Sequence, residues 1–179
     1  MEASTESALG GRSLQLRPAI RSDVPLILRF IRALAEYEQL LDEVVATEAT
    51  LEEHLFGPQP RSEVILAEWD GVSAGFALYF HNFSTFLCRP GIYLEDVFVH
   101  AEFRGRGIGK SLLLELARIA RQRGCGRFEW AVLDWNTPSI EFYESLGAQG
   151  MDEWRLMRVT GPSLDRLADL GEAAAAGRG

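Results

Sequence analysis

The stretch YLEDVFVHAEFRGRGIGKSLL, residues 93–113, decides how this chain folds. It opens with Leu94, Val97, Phe98 and Val99, an apolar run of the kind that forms a buried strand. It breaks at Arg104-Gly105-Arg106-Gly107 and resumes with Ile108, Leu112, Leu113 and Leu116, the spacing of one helix face that stops at Gly124. A further β-rich run, GRFEWAVLD at 126–134, follows directly. Strand, turn, helix and strand in that order predict a β-α-β unit, in which strands 90–100 and 126–134 run parallel.

Upstream, LQLRPA at 14–19 alternates as a short strand does. SDVPLILRFIRALAEYE reads as a helix with Ser22 as cap candidate and Pro25 in its first turn. Val24, Ile27, Leu28, Ile31, Leu34 and Ala35 share one face of it. A shorter helix spans Thr47 to Leu55, and SEVILAEWDGVSAGFALYF predicts a hairpin about Asp70-Gly71. Downstream, TPSIEFYESLG is a compact helix with Thr137 as N-cap, Pro138 at the first position and Gly147 as terminator. EWRLMRVT would close the sheet. The expectation is a mixed α/β single domain over 13–170 with a mostly antiparallel sheet. It has a disordered N-terminal segment at 1–12 and a flexible, frayed or weakly helical tail at 171–179.

The formal net charge of −8 argues against nucleic-acid binding, which needs a basic face to release counterions. No apolar run suits a membrane span, and the N-terminus lacks a signal-peptide layout. Cys88 and Cys125 are too few for a disulfide framework, and His54, His81 and His100 have no metal-ligand spacing. A cytoplasmic location is expected. Between Ala33 and Pro60 the chain carries Glu36, Glu38, Asp42, Glu43, Glu48, Glu52 and Glu53 without a lysine or arginine. That segment is either a solvated acidic face or a funnel for a cationic substrate.

Three cations among the glycines of residues 104–110 ask for a phosphate. A P-loop would need glycine where Arg104 stands, and the dinucleotide fingerprint would need one where Lys110 stands. The pattern that fits is [RQ]-x-x-G-x-[GA], met by Arg104, Gly107 and Gly109. It cradles a pyrophosphate on backbone N–H groups at a helix start. A tight turn needing glycine explains the glycines but not Arg104, Arg106 and Lys110.

This loop, with YLEDVFV before it and AVLDWNTPSIEFYESLGA after it, resembles the GCN5-related N-acetyltransferases (GNAT) over residues 14 to about 160. LRFIRALAEYE and EWRL add a resemblance to the diamine branch, the spermidine/spermine and thialysine acetyltransferases. The resemblance implies a GNAT fold whose two parallel strands splay apart to take acetyl-CoA, with no metal. Its pantetheine would lie along Val97, Phe98 and Val99 and against Asn136 and Tyr143. Its diphosphate would lie on Arg104, Gly105, Arg106, Gly107, Ile108, Gly109 and Lys110.

Acetyl transfer to an amine needs a base, a polarised carbonyl and an acid for the departing thiolate. Alkylamines are mostly protonated at neutral pH, with a pKa of about 10.4. Strand alternation sets Glu95 and Asp96 on opposite faces, and the resemblance favours Glu95 as base, through a water. It assigns Tyr143, of ordinary pKa about 10, as the acid, and the Val97 N–H as the polarising donor. Tyr37, Glu38, Glu95 and Asp152 or Glu153 would line an anionic slot for a small cationic amine. With no cysteine placed for an acyl-enzyme, transfer is direct. The resemblance also implies a homodimer. Two other readings stay open: an acetyltransferase for an amino acid, antibiotic or protein amine, and a non-catalytic acyl-CoA-binding or sensing protein.

Overall fold

The computed structural model describes residues 13–176. The residues through Ala131 form one compact unit and those from Val132 a second. The expected disorder at residues 1–12 lies outside the described residues.

The first unit holds β1 (Leu14–Pro18), α1 (Val24–Tyr37), α2 (Glu48–Phe56), β2 (Glu63–Trp69), β3 (Val72–Ser84), β4 (Arg89–Val99), α3 (Ile108–Gln122) and β5 (Phe128–Trp130). Its sheet runs in the order β1-β2-β3-β4-β5, antiparallel throughout except for the parallel β4–β5 pair. The α/β class, the mixed sheet and the parallel crossover are as the sequence predicts. The hairpin turns on Asp70 and Gly71 at φ 51° and 77°, the left-handed pair that a two-residue turn of this kind requires.

Alternation along the strands sends apolar residues to both faces of the sheet. On one face, Phe76 and Phe98 join Ile27 and Phe30 of α1 and Leu55 of α2 in a buried cluster, with Phe30 stacked on Phe76 at 5.3 Å. Truncating Phe30 to alanine there costs about 3–5 kcal/mol, since it removes apolar burial and leaves a cavity. The other face receives α3. Ile108, Leu112 and Leu116 are fully buried, and Arg123, just past the end of α3, lies over the ring of Tyr79 at 5.9 Å.

Two caps differ from expectation. Asp23, not Ser22, ends the entry to α1. Its carboxylate accepts the Ile20 N–H at 2.8 Å and pairs with Arg17 at 2.7 Å, which a serine hydroxyl cannot match. In the second unit α4 (Thr137–Ser145) is capped by Asn136, with Thr137 already helical. The Asn136 carbonyl accepts the Ser139 and Ile140 N–H groups at 3.0 and 3.1 Å.

β5 is shorter than 126–134, pairing only over Ile92↔Phe128 to Leu94↔Trp130. The final strand expected at EWRLMRVT does not form. Trp154 and Met157 are 72% and 85% exposed, and no ladder reaches them among the described residues. Alternation at 154–159 supplies a strand-like pattern, but a strand exists only through its partner. The second unit closes instead with α5 (Pro162–Ala176), so the tail expected from Gly171 is helical through Ala176.

Candidate active site

The site is built on β4 past the point where β5 stops. His100 donates to the Ala74 carbonyl of β3 at 3.0 Å, so His100 and Phe98 bond toward β3. With a period of two, Val97 and Val99 direct their N–H and C=O groups to the opposite edge, which β5 does not cover beyond Trp130. That edge is what an added extended ligand would need.

The register also contains a bulge. Leu78 pairs with Asp96, and the next residue, Tyr79, pairs with Leu94, so Glu95 is the extra residue. The period-two alternation is therefore broken across Leu94–Asp96, which puts Leu94 and Asp96 on opposite faces with Glu95 between them. Leu78 borders the apolar cluster under α1, which sets Asp96 on that same face. Glu95 is exposed and Asp96 half-buried. Burial first, then the charges of Glu95 and Glu38, push the Asp96 carboxyl up to about 6. Glu38, just past the end of α1, is itself raised by burial. The structure thus brings Glu38, Glu95 and Asp96 together, with Tyr37 at the last turn of α1. Asp96 is the residue that sequence reasoning passed over. Its signal was a second carboxylate in a strand otherwise apolar.

Beyond β4 the loop turns on Gly105 and Gly107 at φ 74° and 78° and enters α3 with Gly107 as N-cap. Ser111 returns its N–H and hydroxyl to the Gly107 carbonyl at 2.9 and 3.1 Å. The N–H groups of Ile108, Gly109 and Lys110 face out of the helix start, where no carbonyl one turn earlier belongs to the helix. Outward N–H groups, the positive end of a fifteen-residue helix and exposed Lys110 suit a diphosphate. The open edge at Val97 and Val99 suits an extended amide-bearing arm.

The two arginines of the loop point elsewhere. Arg104 donates through Nε to the Val99 carbonyl at 3.0 Å and lies over the Tyr37 ring at 4.8 Å. Arg106 lies between Trp69 and Phe103, at 5.4 and 5.3 Å, and donates to the Glu102 carbonyl at 3.0 Å.

In the second unit, Tyr143 is half-buried on α4, its ring 5.5 Å from that of Phe142, and Asn136 is buried at the start of the same helix. Asp152 and Glu153 are exposed in the irregular segment after α4.

A cleft of about 890 Å³ opens in the first unit at the far end of α3, lined by Glu63, Tyr79, His81, Glu115, Arg118 and Arg123. Its polar groups are bound to one another. The buried Tyr79 hydroxyl donates to Glu63 at 3.1 Å, and Arg123 clamps the same carboxylate at 2.5 and 2.8 Å. Burial and the Glu63 charge push the Tyr79 phenol up to about 12. Nothing there is poised for proton transfer, so the bulge of β4 is the better candidate.

A family model described as "Acetyltransferase (GNAT) family" matches residues 30–148. A thialysine N-epsilon-acetyltransferase of Sus scrofa is 38% identical over 167 residues, covering 87% of this chain and 98% of that protein. An L-ornithine N5-acetyltransferase of Arabidopsis thaliana is 34% identical, covering 87% and 88%. Among solved structures, an integron cassette protein from the mobile metagenome of V. cholerae superimposes with a TM-score of 0.74 at 29% identity, over 88% of this chain and 99% of that one.

Proposed function

Because the chain belongs to the GNAT acetyltransferase family, in its diamine branch, we propose that it moves the acetyl group of acetyl-CoA directly onto a primary amine of a small cationic substrate. The substrate class is a diamine, polyamine or thialysine-like molecule. The observation that carries this reading is the bulge of β4, which sets Glu95 and Asp96 against one residue and beside Glu38, next to the open edge at Val97. Three converging carboxylates attract a molecule carrying more than one positive charge.

When bound, acetyl-CoA supplies a thioester-activated acetyl group. The start of α3 and Lys110 hold its diphosphate, and Val97 and Val99 hold its arm through backbone bonds. The Val97 N–H, turned to the open edge, is oriented to stabilise negative charge developing on the acetyl oxygen. Glu95 takes the amine proton through a water, in a local field made more negative by Asp96. Tyr143 holds the proton that the departing sulfur takes, a role supported by its place on the helix after β5 and by the family resemblance. Asn136 binds the pantetheine arm, and Asp152 or Glu153 the far end of the amine. A homodimer in the cytoplasm belongs to the same proposal.

Release of free thiol from acetyl-CoA, measured across diamines, polyamines, thialysine, ornithine and ordinary amino acids, tests it. Turnover should be greatest with molecules bearing a second positive charge near the reacting amine. Turnover confined to singly charged amines would overturn the substrate class, and no thiol release with any amine would overturn the enzymatic reading. Ornithine is a second candidate in its own right, favoured by the Arabidopsis relative's name.

A further inference from the structure

Arg104 occupies two places at once. Its Nε is bonded to the Val99 carbonyl on the open edge of β4, and its guanidinium lies on the ring face of Tyr37, 41% exposed at the end of α1. The Phe98 ring stands 5.9 Å from the same carbon. The first place is where an extended arm would pair with β4. The second is an aromatic face beside Glu38, where an ammonium group would be attracted by ring and carboxylate together. Arg104 makes no ion pair among the described residues, so a neutral carbonyl and two rings hold it. Such a hold is weaker than charge-assisted bonds from a guanidinium to a diphosphate.

We propose that Arg104 is a movable positioning residue that couples the two substrates: it fills the cation face of Tyr37 until the cofactor docks, then releases it. The inference rests on the acetyl-CoA reading of the loop. Docking an arm on Val99 competes with the Nε bond, and a diphosphate at the start of α3 draws the guanidinium away from Tyr37. The Tyr37 face, with Glu38 and Asp96 nearby, then opens to the amine. Linkage makes the effect reciprocal, so bound amine tightens the cofactor by the same factor, and the favoured order is cofactor first.

Calorimetric titration tests this without turnover, using coenzyme A itself and 1,4-diaminobutane. The diamine should bind the coenzyme A-loaded protein about tenfold more tightly than the free protein, within the range usual for coupled sites. Arg104→Ala should abolish that difference. Tyr37→Ala should tighten coenzyme A about threefold by removing the hold on Arg104, and should change nothing in the Arg104→Ala background. Arg104→Lys, which keeps the charge but loses the planar stack, should behave like the Tyr37 variant for coenzyme A. No gain in diamine affinity on loading, or a coenzyme A affinity unmoved by Tyr37→Ala, overturns the coupling while leaving the acetyl-CoA reading intact. Failure of coenzyme A to bind the unaltered protein overturns that reading and the coupling with it.

Discussion

Asp96 lies directly across the ladder from Leu78, and its neighbour Glu95 is inserted beside it with no partner of its own. A carboxylate is thereby held at the rim of an apolar cluster, next to a second one and within reach of the charge on Glu38. The chain keeps a locally unfavourable arrangement where the proposed chemistry calls for negative charge.

That arrangement makes stability depend on pH. The folded-state pKa of Asp96 is about 6 against an ordinary 3.8, so between those values the folded chain holds a proton that the unfolded chain has lost. Stability therefore falls as pH rises through this window and stays lower above it. Asp96→Asn should stabilise the protein by about 2–3 kcal/mol at pH 8, with the difference vanishing toward pH 4. Urea midpoints of the two proteins across that range check it, and a constant gap at all pH values would contradict it.

Glu95→Gln removes one of the charges that raise Asp96. The acid limb of the kcat/KM profile should then move to lower pH, as well as falling in height. A profile that superimposes on the unaltered one would count against Glu95 as the base.

Tyr143→Phe keeps the ring and removes the phenolic proton. We expect kcat to fall by about 10²–10⁴-fold, the usual worth of a positioned acid, with acetyl-CoA affinity nearly unchanged. Full turnover would remove Tyr143 from the mechanism.

Gly107 caps α3 at φ 78°, with nothing within 4 Å of where a Cβ would stand. Replacement by alanine meets only backbone strain, about 1 kcal/mol, and asparagine should cost less because it tolerates this region better. Coenzyme A affinity should fall in the same order, read by titration.

The unit from β4 through the loop to α3 was legible because each part is signalled locally: an apolar run, glycines at positive φ, then a helical face. The hairpin at Asp70-Gly71 was legible for the same reason. Asp96 was not, because the phase of β4 shifts at a bulge that exists only against β3. The absent strand at 154–159 has a parallel cause, since alternation describes a strand's faces but not its neighbours. The place of Arg104 over Tyr37 was not legible, because Tyr37 is far away along the chain. Tyr37 and Glu38 of α1 could be set beside Glu95 of β4 only through the family resemblance, because no local signal links residues so far apart along the chain.

The ladder between β4 and β5 ends at Leu94↔Trp130, leaving Val97 and Val99 to offer their backbone groups at a sheet edge. An edge that no neighbouring strand covers can template an extended peptide, including another molecule's. A ligand lying there would act as a removable guard against self-association. If the proposed coenzyme A is that ligand, the protein should self-associate less with coenzyme A present than without it.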